Sequence, residues 1–302
     1  MNILLSFLQD NREAPHPIPA YRFWSYYVKN GIEEAGMKWI EVPGVDWAAG
    51  LVPDEHDPAL QQWKIQAWEK TVNYIKANRH QFDVFLCYLY PKQIDTAAIK
   101  QIRDLGLPCI NFYCDHIRSY TKLPSEFKVF DLMWVPEYEA LPMYRKAGIS
   151  HINLPMPMWV APQYRNYPDK ESGIISFIGS KDGLRASLLA NVIAKGLPIQ
   201  IRGNAWRDTV AGAAPLNSAS LSSKISNQFS LIRNKGIKKF IAYHLKRYEN
   251  NKQQIIPSEN IFEKPGFEEY IHLTRESSIT LGINRVPAFH TLYKGLLTYS
   301  RL

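Results

Sequence analysis

The stretch Ile175–Trp206, ISFIGSKDGLRASLLANVIAKGLPIQIRGNAW, decides how the chain is read. A short apolar run to Ile178 gives way at Gly179 and Ser180 to helical spacing of apolar residues at Leu184, Leu188, Leu189, Val192 and Ile193. A second apolar run follows at Ile199. This order predicts strand, tight turn, helix and strand, the repeating element of parallel sheets. The turn itself is sparse. A dinucleotide fingerprint needs three glycines at fixed spacing and a later acid, and a P-loop ends in Gly-Lys-Ser/Thr. FIGSKDGLR has neither. A Gly-Ser turn entering a helix can still offer backbone N–H groups to an anion. Gly179 admits a close approach of backbone, Ser180 can donate a hydroxyl, and Arg185 can make a bidentate phosphate contact. An ordinary turn capped by Ser180 or Asp182 satisfies the same pattern.

Working back toward the N-terminus, strand-like and helix-like segments alternate up to Pro157. NILLSFL is followed by an amphipathic stretch around Phe23–Ala35, then by KWIEVPG, a helix through Trp63–Asn78 and the strand DVFLCYLY. A helix around Ile94–Leu105, the strands PCINFYC and DLMWVP, a helix over Glu137–Ala147 and HINLP complete the series. Near-continuous apolar strands joined by helical crossovers require a parallel sheet covered on both faces. The predicted class is α/β with two Rossmann-like domains. Residues 1–157 form the first and 158–302 the second, separated by the proline-rich connection PMPMWVAPQYRNYPDKESG. The second domain carries a basic helical insertion at about 207–255 and ends at TLYKGLLTYSRL without a helix cap, which reads as an incomplete domain.

Bulk properties bound the function. The chain has 302 residues, 46% hydrophobic, enough for a substantial core. The start lacks the layout of a signal peptide or a membrane span, so a cytoplasmic protein is expected. Cys87, Cys109 and Cys114 show no CxxC spacing and no zinc-type histidine partners, so they read as buried free thiols and no metal is expected. The net charge of +8 is local: between Lys224 and Lys252 eight Lys/Arg face one acid, Glu249, a balance of 8 − 1 = +7. Ile237, Phe240, Ile241, Leu245 and Tyr248 follow helical spacing there. A basic amphipathic helix can lie on an anionic membrane, which makes 224–252 a candidate peripheral contact suited to a cell-envelope or lipid-linked acceptor. A solvated face packed on the second domain fits equally. Nucleic acid is not expected, because the charge sits on one insertion.

The order of ISFIGSKDGLRASLLANVIAKGLPIQIRGNAW and FEEYIHLTRESSITLGINR, with FYCDHIRSY and FDLMWVPEY earlier, resembles the glycosyltransferase-like proteins of the CgeB (spore maturation) type. The resemblance implies a bacterial-type GT-B architecture of two Rossmann-like domains facing a cleft, the second binding a nucleotide-sugar and the first the acceptor. It implies that Gly179 and Ser180 contact the donor diphosphate through backbone N–H groups, that Arg185 neutralises it, and that Asn284 and Arg285 line the donor side. The family's Glu-containing helix would follow where this sequence stops.

On the acceptor side, the loop QDNREAPHPIPAY after the first strand falls where a switch-point crevice would lie. Asp10 and His16 there, and Asp115 and His116 after INFYC, are candidates for the general base that deprotonates an acceptor hydroxyl. A surface-loop histidine and an Asp–His pair that merely orders its loop remain open readings. Glu137 and Glu139 suit the positive end of a helix better than paired-carboxylate catalysis. No Asp-x-Asp spacing for a metal-held diphosphate occurs. The expected function is metal-independent transfer of a sugar from a nucleotide-sugar to a hydroxyl, with no cofactor. The alternative is a two-lobed protein that binds a nucleotide or sugar without catalysis. A periplasmic binding protein and an NAD-dependent oxidoreductase fit less well, lacking a signal peptide and a GxGxxG turn respectively.

Overall fold

The apolar runs of the first half pair as parallel strands. The computed structural model describes residues 1–7, 18, 20–115, 120, 122–166, 172–181, 183–207, 241 and 256–283. The chain forms two units, Met1–Val160 and Ala161–Leu302. In the first, β1 (Asn2–Leu5), α1 (Ala20–Glu34), β2 (Lys38–Glu41), α2 (Pro58–Asn78) and β3 (Val84–Cys87) are followed by α3 (Thr96–Asp104), β4 (Cys109–Phe112), β5 (Leu132–Trp134), α4 (Leu141–Ala147) and β6 (His151–Ile152). The six strands run parallel in the order β2-β1-β3-β4-β5-β6, with Ile3 opposite both Trp39 and Val84. Leu4, Leu5, Phe85, Ile99, Ile102 and Met133 are fully buried, and α2 packs against α3. The strand order reverses between β1 and β3, and a parallel sheet opens a ligand crevice at the carboxyl ends beside such a switch.

The second unit contains β7 (Ile175–Ile178), α5 (Gly183–Ala194), β8 (Ile199–Arg202), β9 (Ile261–Phe262), α6 (Phe267–Glu276) and β10 (Ile279–Thr280). Its strands are parallel in the order β10-β7-β8-β9, around a small core of Phe177, Leu189, Ile199, Ile201 and Trp206. The order reverses between β7 and β10. Both units therefore have the α/β, Rossmann-like organisation read from the sequence. Among the described residues no helix is long and apolar enough to cross a membrane.

Three elements depart from the sequence reading, each for a local reason. Helix α2 starts five residues earlier than expected, because the Asp57 carboxylate caps the Ala59 N–H at 2.9 Å and Pro58 occupies the first turn, where its missing N–H costs nothing. The helix expected over Glu137–Ala147 is a 3-10 turn (Tyr138–Ala140) followed by α4. Pro142 fits only the first turn of a helix, which fixes the start at Leu141. The Glu137 side chain accordingly makes no capping bond to that turn. The strand expected through Tyr90 stops at Cys87, and Tyr88–Tyr90 leave the sheet.

What holds that departing segment is Gln93, a fully buried amide. Its Oε1 accepts from the Tyr90 N–H at 2.9 Å, and its Nε2 donates to the Trp47 carbonyl at 2.6 Å and to the Tyr21 hydroxyl at 3.2 Å. Its own carbonyl accepts from Trp68 Nε1 at 2.8 Å, and the Tyr21 hydroxyl donates onward to the Tyr88 carbonyl at 2.6 Å. One residue, by its side chain and its own carbonyl, thus ties α1, α2 and the turn at Trp47 to the chain leaving β3. Gln93→Leu keeps the volume but strands the Tyr90 N–H and the Trp47 carbonyl in the core; we expect a loss of about 3 kcal/mol in urea unfolding. A loss near zero would show that the network is dispensable.

Candidate functional site

The carboxyl edge of the first sheet is built with polar residues spent in the core. Ser6, Thr71, Gln93 and Asn111 are its fully buried polar side chains among the described residues, and all but Thr71 serve the chain after β3. The Tyr88 N–H donates to Ser6 Oγ at 2.9 Å, from the strand on one side. On the other, Asn111 accepts from the Leu89 N–H at 2.9 Å and donates to the Leu89 carbonyl at 3.1 Å, imitating a strand's backbone with its amide. Buried backbone groups must find partners. These two side chains satisfy them after the ladder ends, which lets the chain turn away without losing its hydrogen bonds.

The segment so fixed carries Tyr88 and Tyr90 beside the β1/β3 switch. Phe7 stacks on Tyr88 with ring centroids 5.7 Å apart, and Trp24 of α1 meets Tyr88 edge-on at 6.1 Å. Trp24 Nε1 donates to the Tyr88 hydroxyl at 3.1 Å, the Tyr88 and Tyr90 hydroxyls lie 3.1 Å apart, and the Tyr90 hydroxyl donates to Asp115 Oδ2 at 3.0 Å. Tyr113 and Tyr120 hold a further hydroxyl contact at 3.4 Å. Burial, with the neighbouring Tyr88 and the Asp115 charge adding to it, pushes the Tyr90 hydroxyl far above the ordinary tyrosine range, so it stays a proton donor throughout the physiological range. Of the four general-base candidates, Asp115 is placed here, half-buried. Asp10, His16 and His116 lie outside the described residues.

In the second unit the turn at Gly179 is defined by its neighbour Gly203. Gly203 has φ +142°, and a Cβ there would stand 2.2 Å from the Gly179 carbonyl oxygen. The Gly179 carbonyl accepts from Trp206 Nε1 at 2.6 Å, the Gly179 N–H donates to the Arg202 carbonyl at 2.8 Å, and the Lys181 N–H donates to the Asn204 carbonyl at 3.0 Å. The exits of β7 and β8 are therefore laced together. This corrects one expectation: the Gly179 N–H faces β8, not an anion, because it extends the β7–β8 ladder by one rung. Ser180 follows directly, and its carbonyl accepts from Arg185 Nη1 at 2.9 Å.

Arg185 reaches across the β7/β10 switch. Its Nε and Nη2 both donate to the Ile283 carbonyl, at 2.8 and 2.5 Å, so one guanidinium in the first turn of α5 joins the exits of β7 and β10. These partners are backbone carbonyls, whereas the contact expected from the sequence is one to phosphate. The side chain also lies over the Phe177 ring, 5.5 Å from its centroid. Its fixed charge stands at the positive end of α5, whose first amides have no partner within the helix. Asn284 and Arg285, the basic stretch 224–252 and Asp182 lie outside the described residues, apart from the exposed Ile241.

The residues that sequence reasoning missed are Tyr90, Tyr88, Trp24 and their supports Ser6, Gln93 and Asn111. A usable signal existed: Ser6 in NILLSFL and Asn111 in PCINFYC interrupt apolar strands that are otherwise buried on both faces. The three cysteines are free, with Cys87 and Cys109 buried. Burial pushes the Cys87 thiol well up and Cys109 up to about 12, so neither behaves as a nucleophile. A hollow of about 690 Å³ in the first unit is lined by Lys100, Arg103, Asp104 and Asp131 among others. It sits at the amino ends of β4 and β5, opposite the edge where parallel sheets bind ligands, and its charges are paired as Lys100–Asp104 (2.7 Å) and Arg103–Asp131 (2.6 Å).

No family model matches the chain, and no curated protein matches it in sequence. Solved structures resemble it in shape. A glycosyltransferase from Rickettsia africae ESF-5 has 11% identity over 92% of this chain and 72% of its own, with a TM-score of 0.46. UGT2 of Phytolacca americana, complexed with UDP-2fluoro-glucose and pterostilbene, has 9% identity and a TM-score of 0.41, covering 68% of this chain, which spans 66% of that structure's length. Arabidopsis thaliana UGT89C1, complexed with UDP-L-rhamnose, has 10% identity over 71% of this chain and 69% of its own, with a TM-score of 0.39.

The close approach at Gly203 gives a direct check. Gly203→Ala must push the β7 and β8 exits apart, with an expected cost of about 2–4 kcal/mol. Amide exchange at Gly179 and Lys181 should accelerate at least tenfold while the β1–β4 amides stay protected. Unchanged exchange at both would refute the interlacing.

Proposed function

We propose that the chain is a glycosyltransferase of GT-B type, similar to the CgeB group, that moves a sugar from a nucleotide-sugar to an acceptor hydroxyl. The observation that carries the reading is Arg185, a cation set in the first turn of α5 between the two strand exits of the second unit's switch point. A diphosphate bound there meets the helix amides and a guanidinium together, the combination that stabilises a leaving diphosphate as its charge develops. Gly179 acts in this scheme by shaping the turn, and Ser180 by offering its hydroxyl. Asn284 and Arg285, following Ile283 directly, belong to the same donor side.

The first unit takes the acceptor at the β1/β3 switch, with Asp115 as the base and Asp10, His16 and His116 as the other candidates. The acceptor oxygen bonds to the anomeric carbon as the base removes its proton; the bond from that carbon to the diphosphate oxygen breaks, and its electron pair leaves with the nucleoside diphosphate. The charge on the leaving group is met by Arg185 and the helix, so the reaction calls for no resident metal or cofactor. A lipid-linked or cell-envelope acceptor, reached through a membrane contact at 224–252, extends the same proposal.

Calorimetric titration with UDP-, GDP- and dTDP-sugars tests it. One of these should bind, and Arg185→Ala should weaken it by about tenfold or more, as loss of a charge-assisted contact does. Arg185→Lys should recover part of the affinity by restoring the charge without the fork. Absence of heat with all donors would sink the proposal. Binding without release of nucleoside diphosphate, in the presence or absence of acceptors, would instead indicate the non-catalytic two-lobed binding protein.

A further inference from the structure

The hydroxyl contacts beside Asp115 have a fixed direction. An indole N–H only donates and an ionised carboxylate only accepts, while each tyrosine hydroxyl has one hydrogen to give. Tyr90 gives its hydrogen to Asp115 Oδ2, so the hydrogen between Tyr88 and Tyr90 must come from Tyr88, whose oxygen is left to accept from Trp24 Nε1. The chain therefore runs one way, from α1 through the β3 exit to the β4 exit. Each bond polarises the next, and all of the alignment converges on one carboxylate oxygen.

Every link is anchored by a separate contact. Tyr88 is held by Ser6 at its N–H and by Tyr21 at its carbonyl, and Tyr90 is held by Gln93 at its N–H. Trp24 is packed edge-on against Phe112, with centroids 5.2 Å apart. Such investment exceeds what a surface carboxylate needs for packing. It orients a charged acceptor at the carboxyl edge of the sheet, where a parallel fold places its ligand.

We propose that Tyr90, backed by Tyr88 and Trp24, is the positioning residue for the acceptor-side base: it holds the Asp115 carboxylate in one orientation. This rests on the glycosyl-transfer reading for its function, but the positioning itself does not. Asp115 has as its electrostatic neighbours Tyr88 and Tyr90 from the β3 exit, Tyr113 and Cys114 from the β4 exit, and Tyr120, with Glu137 from the β5 exit acting on Cys114. Removing the Tyr90 hydroxyl takes away the donor that fixes Asp115 Oδ2 and frees the carboxylate to turn.

The test is the Asp115 carboxyl 13C resonance in the full chain at one fixed neutral pH, alongside donor hydrolysis with UDP-, GDP- and dTDP-sugars, in which water stands in for the acceptor. Tyr90→Phe should shift or broaden that resonance and lower kcat for hydrolysis about tenfold with donor KM unchanged. Trp24→Phe, two links away, should do both to a smaller extent, and Tyr74→Phe, which touches none of these groups, should do neither. An unchanged resonance in a folded Tyr90→Phe chain overturns the positioning. A changed resonance with unchanged kcat overturns the assignment of that base. A chain that turns over none of the donors while its carboxyl resonance still responds to Tyr90→Phe sinks the glycosyl-transfer reading and leaves the positioning standing.

Discussion

The first unit depends on how its chain leaves the sheet after β3. A parallel strand that ends abruptly exposes backbone donors and acceptors, and at a buried central position these have no water to turn to. Here the deficit is met by side chains from three directions: Ser6 from β1, Asn111 from β4 and Gln93 from the chain's own next turn. Each is a polar group placed where an apolar one would pack more simply. Burial of an unpaired amide is costly, so the arrangement tolerates only the geometry in which all partners meet. Rigidity at Tyr88–Tyr90 follows, and with it the fixed aim of the Tyr90 hydroxyl.

The second unit solves a related problem by closeness of backbone. Gly203 and Gly179 approach so tightly that a single methyl group on Gly203 would collide with a carbonyl. Trp206 then caps that carbonyl with its indole while filling the core beside Phe177, at 5.9 Å between ring centroids. Arg185 closes the other side by binding the exits of β7 and β10. The two switch points are thus stiffened by different means, buried amides in one and interlaced loops with a guanidinium clasp in the other.

Much of the architecture was legible because a parallel sheet writes itself as apolar runs separated by helical periodicity. PCINFYC and ISFIGS each hold a strand that ends within two residues of the run, and NILLSFL one that ends three residues short, at Leu5. The errors arose where a single residue overrides a pattern. DVFLCYLY reads as one strand through Tyr90, yet the strand ends at Cys87 because Ser6 and Asn111, both distant in sequence, offer Tyr88 and Leu89 better partners than a neighbouring backbone. Asp57-Pro58 and Pro142 were local signals for helix starts that the broader periodicity outweighed. Asp115 and Arg185 were visible as chemical types at strand ends. Their partners were not, since Tyr90 lies 25 residues from Asp115 and Ile283 lies 98 from Arg185.

Cys87 and Cys109 sit inside the first sheet, and Cys114 beside Tyr88 has its ionisation opposed chiefly by burial and then by the Asp115 charge. Maleimides and similar reagents attack the thiolate. The native chain is therefore close to silent toward them while folded. A cysteine introduced at an exposed position of either unit would carry a spectroscopic label without removing any native one, so changes in spacing between the two units upon adding a ligand could be followed in an otherwise unaltered protein.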